Sequence, residues 1–180
     1  MSESGKFTKD DAYRILDQIN SRIGNADTKT SFGLAFIAIV TRFVFEKAGT
    51  TPAAIQAFLD AAGSHVLTFG ITIKALLVLA MGFSCLESIV MFFISILGRT
   101  KNSPGKSSVI FFGSIAGISL DDYKSKAMNM FEADISEDLL EQIHICSKIC
   151  VKKYKYYNQG LYMLLVTIVL FFICMFFNLI

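Results

Sequence analysis

Charge is scarce in this 180-residue chain: Asp, Glu, Lys and Arg supply 18% of it, where a soluble protein carries about a quarter. The net charge is +2. Together these values exclude an extended basic surface for nucleic acid and global steering toward an acidic partner. Disorder is excluded as well, because 53% of the residues are hydrophobic. The four cysteines are Cys85, Cys146, Cys150 and Cys174. Two sit in apolar runs and two in a region read below as cytoplasmic, so no disulfide framework is expected. Catalytic signatures are missing too: there is no Ser-His-Asp grouping, no glycine-rich phosphate loop and no His-Glu-x-x-His. The short GSIAG is too little to cradle a phosphate, and His65 stands alone, so an enzyme is not expected. His144, Cys146 and Cys150 form HxCxxxC, but on a helix His144 points away from the face the two cysteines share, so no metal site is expected. The apolar run nearest the N-terminus begins about thirty residues in, behind a charged amphipathic stretch, which is not the form of a secretory signal.

What the chain has in abundance is apolar residues in long runs, with a mean hydropathy of +0.54. The segment GLYMLLVTIVLFFICMFFNLI carries no charged side chain, and about 20 such residues in a helix span a hydrocarbon core of roughly 30 Å. Tyr154, Tyr156, Tyr157 and Tyr162, interleaved with Lys152, Lys153 and Lys155, make an interfacial anchor at its approach. A second run lies between Val66 and Gly98, interrupted by Lys74 and Glu87. A third, SFGLAFIAIVTRFVF, is shorter and reaches membrane length when Arg42 near its end snorkels to the interface. Three spans are expected, at 31–48, 66–98 and 160–180. The polar regions 1–30 and 99–159 hold most of the cations, including Arg99, Lys101 and Lys106 beside the second span. The positive-inside rule therefore places both in the cytoplasm, with 49–65 as an external loop.

Thr8 with Asp11, and Ser119 with Asp122, have the spacing of helix starts. Leu16, Ile19, Ile23 and Ala26 form one apolar stripe, and no proline intervenes before Pro52, so one helix is expected to run from the first cytoplasmic segment into the first span. TKNSPGKSS reads as a turn-rich linker, and the residues at 109–118 as a short buried segment or strand. Ser136 is expected to open the last helix, where Leu139, Ile143, Cys146, Cys150, Tyr154 and Tyr157 alternate spacings of four and three in a heptad-like seam. That helix is expected to continue into the third span. The fold class is thus an all-α membrane protein: three transmembrane helices and a helical cytoplasmic domain, formed by the N-terminal helix and the region between spans two and three. A soluble part of about 90 residues is marginal alone, so a homo-oligomer is expected.

Three groups of polar residues carry possible chemistry. Arg42, Lys74 and Glu87 are intramembrane, where ionisable side chains are costly and pair or line polar paths. Asp27 and Lys29 lie where the first helix meets the membrane. Asp138 and Gln142 share a face of the last helix, with Lys148 and Lys152 further along. An amide and a carboxylate suit a base edge, and a lysine suits a phosphate.

At this point the residues resemble the Pycsar effector domain family, in its transmembrane subtype. The likeness is carried by INSRIGNADTKTS before a span, then VIFFGSIAG and DDYKS, then DLLEQIHICSKICVKKYKYYNQGLYMLL leading into a terminal span. It extends from about Tyr13 to Phe172. The resemblance implies a multi-pass protein of the bacterial inner membrane, N-terminus cytoplasmic, acting in antiphage defence. A partner cyclase would make cyclic CMP or cyclic UMP, and the effector would respond by impairing inner-membrane integrity, causing abortive infection. It also implies candidate ligand-binding positions at Asp27, Lys29, Phe112, Tyr123, Asp138, Gln142 and Lys153. No cofactor other than that regulatory nucleotide is implied. The expected partners are the lipid bilayer, the nucleotide and further copies of the chain. Two other readings fit the same residues: a constitutive membrane scaffold or adaptor, and a small channel subunit without nucleotide sensing.

Overall fold

A computed structural model describes residues 7–48, 52–64, 68–97 and 108–180. The turn-rich stretch with Lys101 and Lys106, together with Arg99 and His65, lies outside the described residues. The described elements are six helices in the order α1 (Lys9–Ala48), α2 (Ala53–Gly63), α3 (Phe69–Ile96), α4 (Phe112–Ile115), α5 (Leu120–Asn129) and α6 (Glu132–Phe176). No strand occurs among the described residues. Helices α1, α3 and α6 are each long and apolar enough to cross a membrane. The chain folds as two compact units, one made of residues 1–26 and 97–153, the other of residues 27–96 and 154–180. Helices α1 and α6 each contribute to both without a break.

In the first unit, α1 starts on a capping box. The Asp11 backbone N–H donates to Thr8 Oγ1 (3.2 Å) and the Thr8 N–H donates back to Asp11 Oδ2 (3.1 Å). That satisfies two backbone donors otherwise left open at a helix start. The same hydrogen bonding, chiefly from the Thr8 side chain, holds the Asp11 carboxyl below its usual value of 3.8. Helix α5 starts in the same way on Ser119, whose Oγ accepts from the Asp122 N–H at 3.1 Å. Ala12 and Leu16 of α1 pack on Leu139 of α6, with Ile110, Ile135, Ile143 and Cys146 around them. The stripe on α1 and the start of the seam on α6 therefore meet each other.

Two local expectations are corrected here. The segment after Ser108 is not a strand: Phe112–Ile115 forms a single helical turn, because its first residues are tied to side chains rather than to another strand. And α6 begins at Glu132, not Ser136. The Asp134 carboxylate accepts from the Phe131 N–H (3.1 Å), closing the helix start one turn early, while the Ser136 hydroxyl bonds back to the Glu132 carbonyl (2.9 Å).

The second unit is a three-helix bundle. α3 is antiparallel to both α1 and α6. At one end Ile37, Phe92 and Leu164 form a core; at the other Ala54, Val78, Met81, Cys174 and Leu179 form a second. Helix α2 lies within the stretch expected as an external loop, and the backbone N–H of its second residue, Ala54, donates to the Leu179 carbonyl at 3.2 Å. Leu179 reaches it because α6 ends in a Schellman turn. Asn178 takes a left-handed φ of 47°, its N–H bonds the Met175 carbonyl, and the Leu179 N–H bonds the Cys174 carbonyl. Outward faces of the bundle are apolar: Phe36, Phe43, Leu76, Phe83, Val169 and Phe172 are all exposed. A surface of this kind suits lipid and is foreign to water.

Between the bundle helices lies a ladder of small polar side chains. Thr30 of α1 bonds Ser95 of α3 (3.1 Å), Ser84 bonds Thr167 of α6 (2.9 Å), and the Ser88 hydroxyl donates to the Gly160 carbonyl (2.8 Å). Small hydroxylated residues let backbones approach and hydrogen-bond across helices where lipid offers no hydrophobic drive. The fully buried Phe92 ring wedges into the closest approach. A Cβ built on Gly33 would stand 2.7 Å from the ring, and one on Gly160 2.8 Å from it. Only glycine admits the ring from both sides.

Candidate functional site

Asp138 is the organising side chain of the first unit. It stands on α6, half-buried, and its Oδ2 accepts from the Ser108 hydroxyl (3.0 Å) and from the Val109 N–H (3.0 Å). The Ser108 Oγ in turn accepts from the N–H groups of Ile110 (3.1 Å) and Phe111 (2.9 Å). One carboxylate and one buried hydroxyl thus gather the backbone donors of 109–111 and fix that segment on α6. Tyr123 of α5 adds a longer contact, its hydroxyl donating to the Val109 carbonyl at 3.4 Å. Phe112 starts α4 with its ring exposed and tilted against Phe111, centroids 4.7 Å apart. The structure therefore brings Phe112, Tyr123 and Asp138 to one segment of the first unit.

Gln142 follows Asp138 by one turn of α6 and is only 3% exposed. Leu139, next to it along the helix, is a centre of the apolar core. Lys153, also buried, lies eleven residues beyond Gln142, about 16 Å along the helix axis. One small ligand lying flat at Gln142 does not also rest on the backbone beside Lys153. Asp27 and Lys29 belong to the second unit. There the Lys29 ammonium stands 6.0 Å from the centroid of the Tyr154 ring, at the outer reach of a cation–π contact.

Glu87 of α3 is half-buried, and among the described residues it makes no ion pair. Arg42 of α1 and Lys74 of α3 are exposed. Among the described residues no three His, Cys, Asp or Glu side chains converge as a metal set; His144 is exposed, and neither Cys146 nor Cys150 is in a disulfide.

Sequence reasoning missed Ser108 and the polar ladder. The spacing of Ser84, Ser88 and Ser95 on one helical face was the available signal for the ladder. Ser108 gave none, since its partner is thirty residues away.

The family model for the Pycsar effector protein domain matches residues 11–180, nearly the whole described architecture. The chain belongs to the Pycsar effector family. A curated relative, the Pycsar effector protein GmPycTM of Gulbenkiania mobilis, is 27% identical over 188 residues, covering 96% of each chain. No solved structure matches. For this Pycsar effector, membership supports an antiphage effector role, downstream of the signal rather than catalytic in a known way. The three long apolar helices make it a multi-pass membrane protein.

Proposed function

We propose that the chain is a nucleotide-gated membrane effector of antiphage defence. In this reading the first unit faces the bacterial cytoplasm and binds cyclic CMP or cyclic UMP made by a partner cyclase. The three-helix bundle sits in the inner membrane, and several copies act together without catalysis of their own. Binding repacks α1 against α6, and the membrane part follows, so that the bilayer loses its integrity and the infected cell stops growing.

The observation that carries this reading is the continuity of α1 and α6. Each is one helix from the sensor residues to the bilayer-crossing apolar run. A helix transmits a shift or a rotation along its length, and ligand drives that shift only by binding one arrangement better than another. About 1–3 kcal/mol of such coupling changes an open population five- to 150-fold. Glu87, half-buried and without an ionic partner among the described residues, is the polar group of α3 best placed to meet water once the helices part.

The test has two arms. Calorimetry of the full chain in detergent micelles is expected to give binding heat with cyclic CMP or cyclic UMP and much less with cyclic AMP. Vesicles carrying the chain are expected to release a trapped dye when the same nucleotide is added. Absence of heat with all three nucleotides ends the sensing claim, and dye release independent of nucleotide favours a constitutive channel.

A further inference from the structure

Gln142 is almost wholly enclosed, 3% exposed, and among the described residues its side-chain amide has no hydrogen-bond partner. A buried amide left unsatisfied is destabilising, and buried side-chain polar atoms in folded proteins are overwhelmingly paired. Nothing about helix formation calls for it, since Leu or Met would fill the same position of α6 with equal helix propensity. One turn before it, Asp138 uses Oδ2 for both of its bonds, and its Oδ1 makes none among the described residues. Residues four apart on a helix are neighbours, about 5–6 Å between Cβ atoms. The same face thus offers an amide, with one acceptor and two donors in a plane, beside an open acceptor oxygen.

We infer that Gln142, assisted by the open oxygen of Asp138, is the base-edge subsite of this effector. It takes the planar donor–acceptor edge of a pyrimidine rather than the cyclic phosphate. The inference rests on the nucleotide-sensing reading above and assigns the part of the ligand that this turn of α6 meets. A carboxylate with an unused oxygen asks for a donor, which cytosine offers as its amine and uracil as its ring N–H, and it repels a phosphate. The pairing also explains why a costly amide is kept where a hydrocarbon would fit: the unbound sensor carries an unmet bond that ligand satisfies.

Gln142→Met keeps the length of the side chain and removes its polar atoms; Gln142→Leu does so with a compact chain. Both are measured as full-length protein in micelles, by thermal unfolding without nucleotide and by calorimetry with cyclic CMP and cyclic UMP. The expected result is an unfolding midpoint equal to or above that of the parent protein, with affinity for the nucleotide the parent binds reduced at least tenfold. A lowered midpoint in both variants overturns the inference, because the amide is then a structural group. Unchanged affinity also overturns it while leaving nucleotide sensing intact. If the parent protein binds neither nucleotide, the sensing reading itself falls and this assignment falls with it.

Discussion

A handful of side chains do work that their neighbours cannot replace. Phe92 is the clearest, held between the bare Cα atoms of Gly33 and Gly160. Gly160→Ala is expected to destabilise the bundle by about 1–3 kcal/mol through overpacking. Adding Phe92→Leu to it should recover part of that loss, and denaturant titration of the two single variants and the double in micelles checks the coupling. Asp138→Ala strands the Val109 N–H and the Ser108 hydroxyl, and is expected to cost about 1–3 kcal/mol locally. Hydrogen exchange over 108–118 should rise while that of the bundle stays as it was. Asp11 supplies a pH effect of known sign. Its folded pKa lies below the ordinary 3.8, so the stabilising cap is complete above that value and is lost as pH falls through the folded pKa. Amide exchange at the first turn of α1 should accelerate on acidification into that range, and Asp11→Ala should abolish the pH dependence.

At the level of elements, most of what depends on nearby residues was legible in advance, the early start of α6 on Asp134 excepted. The three apolar runs, the caps at Thr8 and Ser119, and the continuity of α1 and α6 follow from local spacing and the lack of an intervening proline. Helix α2 was not legible: AAIQAFLDAAG has no acidic residue in its first turn, no basic residue in its last turn and no side-chain cap, and the N–H of its second residue, Ala54, is satisfied by Leu179, more than a hundred residues later. The candidate site divides similarly. Asp138 and Gln142 stood out by type and spacing, but Asp138's hold on Ser108, and the enclosure of Gln142, are products of tertiary packing. The unbroken α6 also makes a prediction. A single alanine inserted between Lys153 and Tyr154 turns everything beyond it by about 100°. Nucleotide binding is expected to persist while nucleotide-dependent dye release is lost. A four-residue insertion, about 40° from a whole number of turns, should restore part of the response.

For the whole molecule, the decisive contrast is between what lies inside the bundle and what lies outside it. Hydroxyls of Thr30, Ser84, Ser88, Ser95 and Thr167 are turned inward and buried, while large apolar side chains face out. Such a protein is inside-out relative to one dissolved in water, and should aggregate when detergent is diluted below its micelle concentration, as light scattering would show. Each interhelical hydroxyl bond contributes modestly, about 0.6 kcal/mol on average in membranes, so the ladder aligns the helices more than it locks them. The ring of Phe92 supplies what the ladder does not. Because a solid side chain fills notches on two helices at once, neither helix slides past α3 by small degrees; it leaves its notch or it stays. Motion of this bundle therefore has detents, and under the proposed nucleotide gating such a trigger would ignore faint signals.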